Sequence, residues 1–172
     1  MDIKKTANLL LNFAIKRLAE IFGLLIFLSG ALLLISLITY SPEDPNFIFP
    51  DNTKIKNLLG FQGSFISDLF FQSVGLISYL ISFTLILTGI NIFRFKEFFL
   101  IIENIFFTII YCVFGTLFFS FFYSDAFTLY INGNGGFVGT YFNQTFLNSL
   151  VQIHEATSFY VLIFFTFLLF LI

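Results

Sequence analysis

The stretch that decides the fold is Ile21–Phe47, IFGLLIFLSGALLLISLITYSPEDPNF. Its first part, Ile21–Thr39, carries no charge. A helix rises about 1.5 Å per residue, and about 20 apolar residues cross the hydrocarbon of a bilayer. This run therefore predicts a transmembrane helix. Its second part, YSPEDPNF, stops that helix. Tyr40 places an aromatic ring with a polar tip where the run meets water. Pro42 restricts Ser41 and cannot continue a helix. Ser41 is expected to cap a new short turn, with Pro42 first in it and Asp44 reaching back as in a capping box. Pro45 then ends that turn. The expected result is a rigid redirection of the chain at the membrane face.

The composition extends the same reading to the whole chain. Of 172 residues, 58% are hydrophobic and 10% charged, with a mean hydropathy of +0.97. Soluble domains usually carry about 25% charged residues. The net charge of -2 suggests no nucleic-acid surface, so the placement of each charge matters more than the sum. The 30 phenylalanines, with no tryptophan, are expected on lipid-facing helices.

Three more apolar runs follow, at about 69–93, 98–123 and 156–172. Glu103 interrupts the third near its start, and the fourth ends with the chain. The chain is expected to be the amino-terminal piece of a longer polypeptide. Residues 1–20 carry Lys4, Lys5, Lys16 and Arg17 and predict a basic amphipathic helix on the membrane surface, running into the first span. Arg94 and Lys96 lie between spans two and three. Lys54 and Lys56 lie between spans one and two, among Glu43, Asp44, Asp51 and Asp68. Six of the 8 basic residues thus fall on one side, which predicts cytoplasmic termini. The expected fold is an all-α membrane protein of four transmembrane helices, both termini cytoplasmic, preceded by the basic helix. Its loops on the other side are 40–68 and 124–155. Small-residue stripes suggest close helix packing: Ala19, Gly23 and Gly30 in span one, Gly75, Ser78, Ser82 and Gly89 in span two, Thr108, Cys112, Gly115, Thr116 and Ser120 in span three.

Little in the chain suggests catalysis. Cys112 and His154 are each single, so neither a CxxC pair nor a His-rich metal site can form. Glu103 is expected to snorkel or to pair with Arg94 or Lys96. Asp68, at the mouth of span two, is expected to cap a helix, as are His154 and Glu155 before span four. The spans hold no facing carboxylates and no Ser/His pair, and the chain has no phosphate-binding GxxxxGK[ST] motif. NGNGG (Asn132–Gly136) sits in an uncharged segment and is expected to be a flexible turn. No catalytic, cofactor-binding or metal-ligating residue is expected. A small multi-pass transporter or channel subunit is the alternative class; it would call for ionisable groups facing each other at mid-span.

The loops hold the specific patterns. After Arg17, Glu20 and Gly23 at steps of three comes TYSPEDPN, with Tyr40, Ser41, Pro42, Asp44 and Pro45. NLLGFQGSFISDLFFQSVG follows, with Asn57, Gly60, Gly63, Asp68 and Gly75. GGFVG, with Gly135, Gly136 and Gly139, precedes span four. Together these resemble the amino-terminal four-span membrane domain of FtsK/SpoIIIE-type DNA translocases, over about Arg17–Ile172. Span four departs from that pattern, beginning HEATSF where a glycine-bearing start is common. The resemblance implies a membrane anchor and oligomerisation domain at the division septum, acting in cell division and chromosome segregation. It implies a homo-oligomer (a hexamer), contact with other division proteins of the bacterial cytoplasmic membrane, and DNA bound only by a motor domain. ATP and Mg would belong to that motor, which this chain lacks.

Overall fold

The computed structural model describes residues 3–45, 54–124 and 132–172. Asp51 lies outside them. Seven α-helices order the described residues, and no strand occurs among them. The first, α1, runs Ile3–Ile38 without a break. At about 1.5 Å per residue it is about 54 Å long, well beyond a bilayer's hydrocarbon. The basic segment expected at residues 1–20 thus runs into the first span as one helix from Ile3. No glycine or proline occurs between Ile3 and Phe22, and alanine and leucine dominate, so nothing locally breaks the helix. Residues 7–18 are exposed on every side.

The second span begins earlier than its apolar run suggests. Helix α2 covers Gly60–Val74, a short 3₁₀ turn covers Gly75–Ile77, and α3 covers Ser78–Phe95. Asp68 therefore lies inside α2 and caps no helix N-terminus. Helix α4, Phe99–Phe122, follows a tight turn in which Lys96 adopts φ 62°. Short helices α5 (Gly136–Asn143) and α6 (Phe146–Ile153) precede α7 (Glu155–Leu171). Thr145 caps α6 by accepting the Leu147 N–H at 3.4 Å. His154 stands before α7 but its side chain caps nothing, while Glu155 lies in the first turn, where the helix dipole favours an acid.

Three helical stretches are long and apolar enough to span a membrane: Ala7–Ile38, Gly60–Phe95 and Phe99–Phe122. A fourth is reached if α6 and α7, bent by 116°, count as one span.

The helices pack as two pairs. Helices α1 and α3 cross where Gly23 meets Gly89 and where Gly30 meets Leu85 and Ile86. A methyl added at Gly23 would stand 2.9 Å from the Gly89 carbonyl oxygen, and one at Gly30 2.8 Å from the Ile86 nitrogen. Helices α4 and α7 interdigitate aromatic rings instead. Phe114 stacks on Phe165 at 5.4 Å, and Phe118 and Phe122 both meet Phe159. Between the pairs, Thr84 and Tyr111 share a hydrogen bond of 2.8 Å, and Asn104 donates to Thr88 at 2.9 Å. The small-residue stripes of α3 and α4 are largely buried, at Ser78, Ser82 and Gly89 and at Cys112, Gly115, Thr116 and Ser120.

At the end of the bundle where α3 meets α4, here called proximal, Glu20 joins the helices. It pairs with Arg17 at 2.5 Å and with Lys96 at 2.7 Å. Lys96 therefore pairs across to α1 and not with Glu103, which is exposed. The opposite, distal end holds α2, α5 and the patterned loops.

Candidate functional site

The distal residues that carry the sequence patterns converge on two adjoining seats. The first is built around the exit from α1. Pro42 ends the helix, and a turn closes with the Asp44 N–H donating to the Ser41 carbonyl at 3.1 Å. Asp44 does not reach back as a capping box. Its carboxylate turns forward and accepts the backbone N–H groups of Lys56 and Asn57, each at 2.8 Å. The carboxylate is 4% exposed, so it fastens the start of the next segment from within the fold. Outside it, Lys56 pairs with Glu43 on the surface. That hydrogen bond holds the Glu43 carboxyl below its ordinary value and raises the Lys56 ammonium above its own.

Asn57 ties this turn to the spans. Its side-chain amide donates to the Ser36 carbonyl at 2.9 Å, and its oxygen accepts the Leu59 N–H at 3.0 Å. Gly60 opens α2 with φ 67°. Gly63 faces the Asn57 side chain and leaves no room for a Cβ. Its carbonyl accepts from Ser36 at 2.6 Å and Ser67 at 2.8 Å. Ser64 donates to the Pro45 carbonyl at 3.0 Å. Asp68 accepts the Tyr40 hydroxyl at 3.1 Å and the Gln72 amide at 3.5 Å. Asn57, Gly63 and Asp68 thus each contact the end of α1 or Tyr40 just beyond it, while Gly60 supplies the positive φ that opens α2.

The second seat lies at the break between α2 and α3. Gly75 adopts φ 60° and its Cα sits against the Asn134 carbonyl, which accepts the Leu76 N–H at 3.0 Å. Gly136 in turn lies against Ser73 and the Gly75 nitrogen. Gly135 and Gly139 lie on α4, where a methyl at Gly135 would stand 2.6 Å from the Thr116 carbonyl oxygen. NGNGG is therefore a fitted plug and not a loose turn. Asn134 is 1% exposed and donates to the Tyr123 carbonyl at 2.7 Å, and Asn132 donates to the Gln72 carbonyl at 3.1 Å.

The residues that carry the loop patterns are distributed over the two seats: Tyr40, Ser41, Pro42, Asp44, Pro45, Asn57, Gly60, Gly63 and Asp68 in the first, Gly75, Gly135, Gly136 and Gly139 in the second. Sequence reasoning missed Ser36, Ser64, Ser67 and Asn134, all fully buried. Ser36 had a signal, a lone hydroxyl among leucines and isoleucines one turn before the helix exit. Asn134 had none, because a glycine-flanked asparagine has the same appearance in an open turn.

The arrangement builds a scaffold. Most of its buried polar groups bond partners on neighbouring elements, the exceptions being the Asn134 and Gln72 side-chain oxygens, and among the described residues no group of three or more His, Cys, Asp or Glu side chains could hold a metal ion. No curated protein and no solved structure matches the chain. The family described as the 4TM region of DNA translocase FtsK/SpoIIIE matches residues 15–172, and the chain belongs to it.

Proposed function

We propose that this chain is the membrane anchor and assembly domain of a DNA translocase that acts at the division septum in cell division and chromosome segregation. The observation that carries the reading is family membership over residues 15–172, supported by distal loops whose polar groups brace the helices. We place both termini in the cytoplasm and the distal seats on the opposite face of the bacterial inner membrane. The support is the gathering of Arg17, Arg94 and Lys96 at the proximal end, since basic residues favour the cytoplasmic side. In this reading the domain holds a motor at the membrane and associates with copies of itself, as a hexamer, and with other division proteins. ATP hydrolysis, with its Mg ion, and DNA movement belong to residues beyond Ile172.

A fluorescent fusion to the full-length protein, expressed in its own cells, tests the septal role. Septal localisation that survives removal of everything after Ile172 is expected. Uniform membrane fluorescence of the same truncated fusion would overturn the reading. Cross-linking in those membranes tests assembly: ladders above the dimer are expected, and a monomer alone would overturn it. The gene downstream of Ile172 is expected to continue in frame into an ATPase.

A further inference from the structure

The two helix pairs do not end at one level. Ile77, at the start of α3, packs on Tyr111 and Cys112, and its side chain fills the space beside Gly115. Helix α1 ends at the same level, where Leu37 packs with Phe71 and Tyr79. Helix α4 continues from Gly115 to Phe122, about 10 Å further along its axis. Helix α7 starts beside that overhang, with Phe159 against Phe118 and Phe122.

The proximal end is offset in the same sense. Glu20 and Lys96 mark its polar edge beside α1. Beside α4, exposed polar groups reach deeper. Asn104 bonds Thr88, so Glu103, one residue toward the proximal end on α4, and Asn91, three residues toward it on α3, lie within about 3 Å of one level, and both are exposed. The apolar lengths nevertheless agree. Ile21–Thr39 on α1 and the uncharged stretch from Asn104 to Tyr123 on α4 each span about 30 Å, the thickness of the hydrocarbon.

Two equal apolar lengths, shifted along the bundle in the same direction, describe one slab crossed at an angle. We propose that the bilayer meets this domain along a slanted belt, with the bundle tilted so that Glu103 and Asn91 reach the headgroups on one side. The α4–α7 overhang, with α5 and its exposed Phe137 and Tyr141, is then immersed in the distal leaflet. Its surface fits lipid: the chain from Asn132 to Ile153 carries no charge. Part of the loop region 124–155 is then membrane-embedded. Spanning helices commonly tilt by about 20°, and polar anchors set the angle. The inference uses the membrane-spanning character alone and is independent of the septal role.

The chain has no tryptophan, so single-tryptophan variants report depth without touching Cys112. Phe164→Trp and Ile102→Trp replace exposed residues. Phe164 stands level with Gly115, where α1 and α3 end; Ile102 adjoins Glu103. In vesicles of dioleoyl phosphatidylcholine, lipids brominated near the chain ends should quench Phe164→Trp more strongly than Ile102→Trp. Aqueous iodide should quench only Ile102→Trp. An upright bundle gives the reverse order. That reversal, or equal deep quenching of both positions, as from a bilayer thickened around α4, overturns the proposal. Leu32→Trp, exposed near the middle of the Ile21–Thr39 run, should be deep whichever way the bundle stands and checks that the chain is inserted.

Discussion

Asp44 is nearly fully buried, while Lys56 and Glu43 form an exposed pair a few ångströms of chain away. The two interactions look alike in sequence, as acids and a lysine in one loop, but their weights differ. Removing the Asp44 carboxylate strands the buried Asn57 N–H and the partly buried Lys56 N–H, and such a loss costs about 3 kcal/mol. Asp44→Ala should therefore lower the thermal midpoint clearly. A coumarin maleimide that reacts with Cys112 once the bundle opens reads this directly, because Cys112 is buried. Lys56→Ala should leave the midpoint unchanged, since an exposed pair is screened and gains little. A fall for Lys56→Ala as large as for Asp44→Ala would reverse the assignment. The sign with pH follows from the pair. Glu43 is held below 4.5 by its hydrogen bond to Lys56, so the small contribution is present above that value and is lost as pH falls through the depressed one. Lys56 is raised above 10.5 by Glu43, so the contribution is also lost as pH rises through that raised value. Between those limits the pair should make no pH dependence. At this scale the sequence was legible in identity but not in direction. The capping-box spacing of Ser41 and Asp44 is real, yet a carboxylate beside a proline-fixed turn bonds whichever N–H groups the fold brings, and those came from Lys56 and Asn57.

Among the elements, α1 and α3 depend on contact between backbones. A methyl at Gly89 would stand 2.7 Å from the Gly23 carbonyl oxygen and from the Phe27 Cα, neither of which can swing away as a side chain does. Gly89→Val should therefore cost about 3 kcal/mol through overpacking. The polar link between α3 and α4 is weaker. Thr84 keeps its bond to the Leu80 carbonyl at 3.0 Å when Tyr111 loses its hydroxyl. Hydrogen bonds between membrane helices average about 0.6 kcal/mol, so Tyr111→Phe should cost about that much. Unfolding by sodium dodecyl sulfate in mixed micelles measures both, and a Tyr111→Phe loss exceeding that of Gly89→Val would contradict this ordering. The glycine stripes were legible because 3.6-residue spacing and small size are both written in the sequence. The start of α2 at Gly60 was not. Gln62, Gly63, Ser64, Ser67 and Asp68 dilute the apolar run there, and the helix forms because its polar face packs on Ser36, Pro45 and Tyr40. That is a tertiary cause, which periodicity does not carry.

The molecule as a whole is two helix pairs held at a distal joint. Along most of their length the pairs touch loosely, and an apolar cleft of about 310 Å³, lined by Leu80, Gly115, Phe119 and Thr166 among others, lies between α3, α4 and α7. The joint is where α5 seats Gly136 on the Gly75 break while Gly135 and Gly139 grip α4. Gly75 is its most constrained point. Its φ of 60° is strained for any side chain, and a methyl there would overlap the Asn134 carbonyl. Gly75→Ala should therefore do something Gly89→Val does not. Gly89→Val weakens one pair from within and should leave unfolding a single transition at a lower midpoint. Gly75→Ala expels α5 from its seat and leaves the Thr84–Tyr111 and Thr88–Asn104 bonds as the main link between the pairs. Unfolding should then split, the α4–α7 pair opening first. Cys112, covered by Ile77 as well as by α7, reports release of α4 from its neighbours, and a tryptophan at Leu25 follows α1–α3. Coincident curves from both probes are expected in the parent chain and separated curves in Gly75→Ala. Coincident curves in Gly75→Ala would mean that the mid-span bonds, and not the fitted plug, make the bundle one cooperative unit.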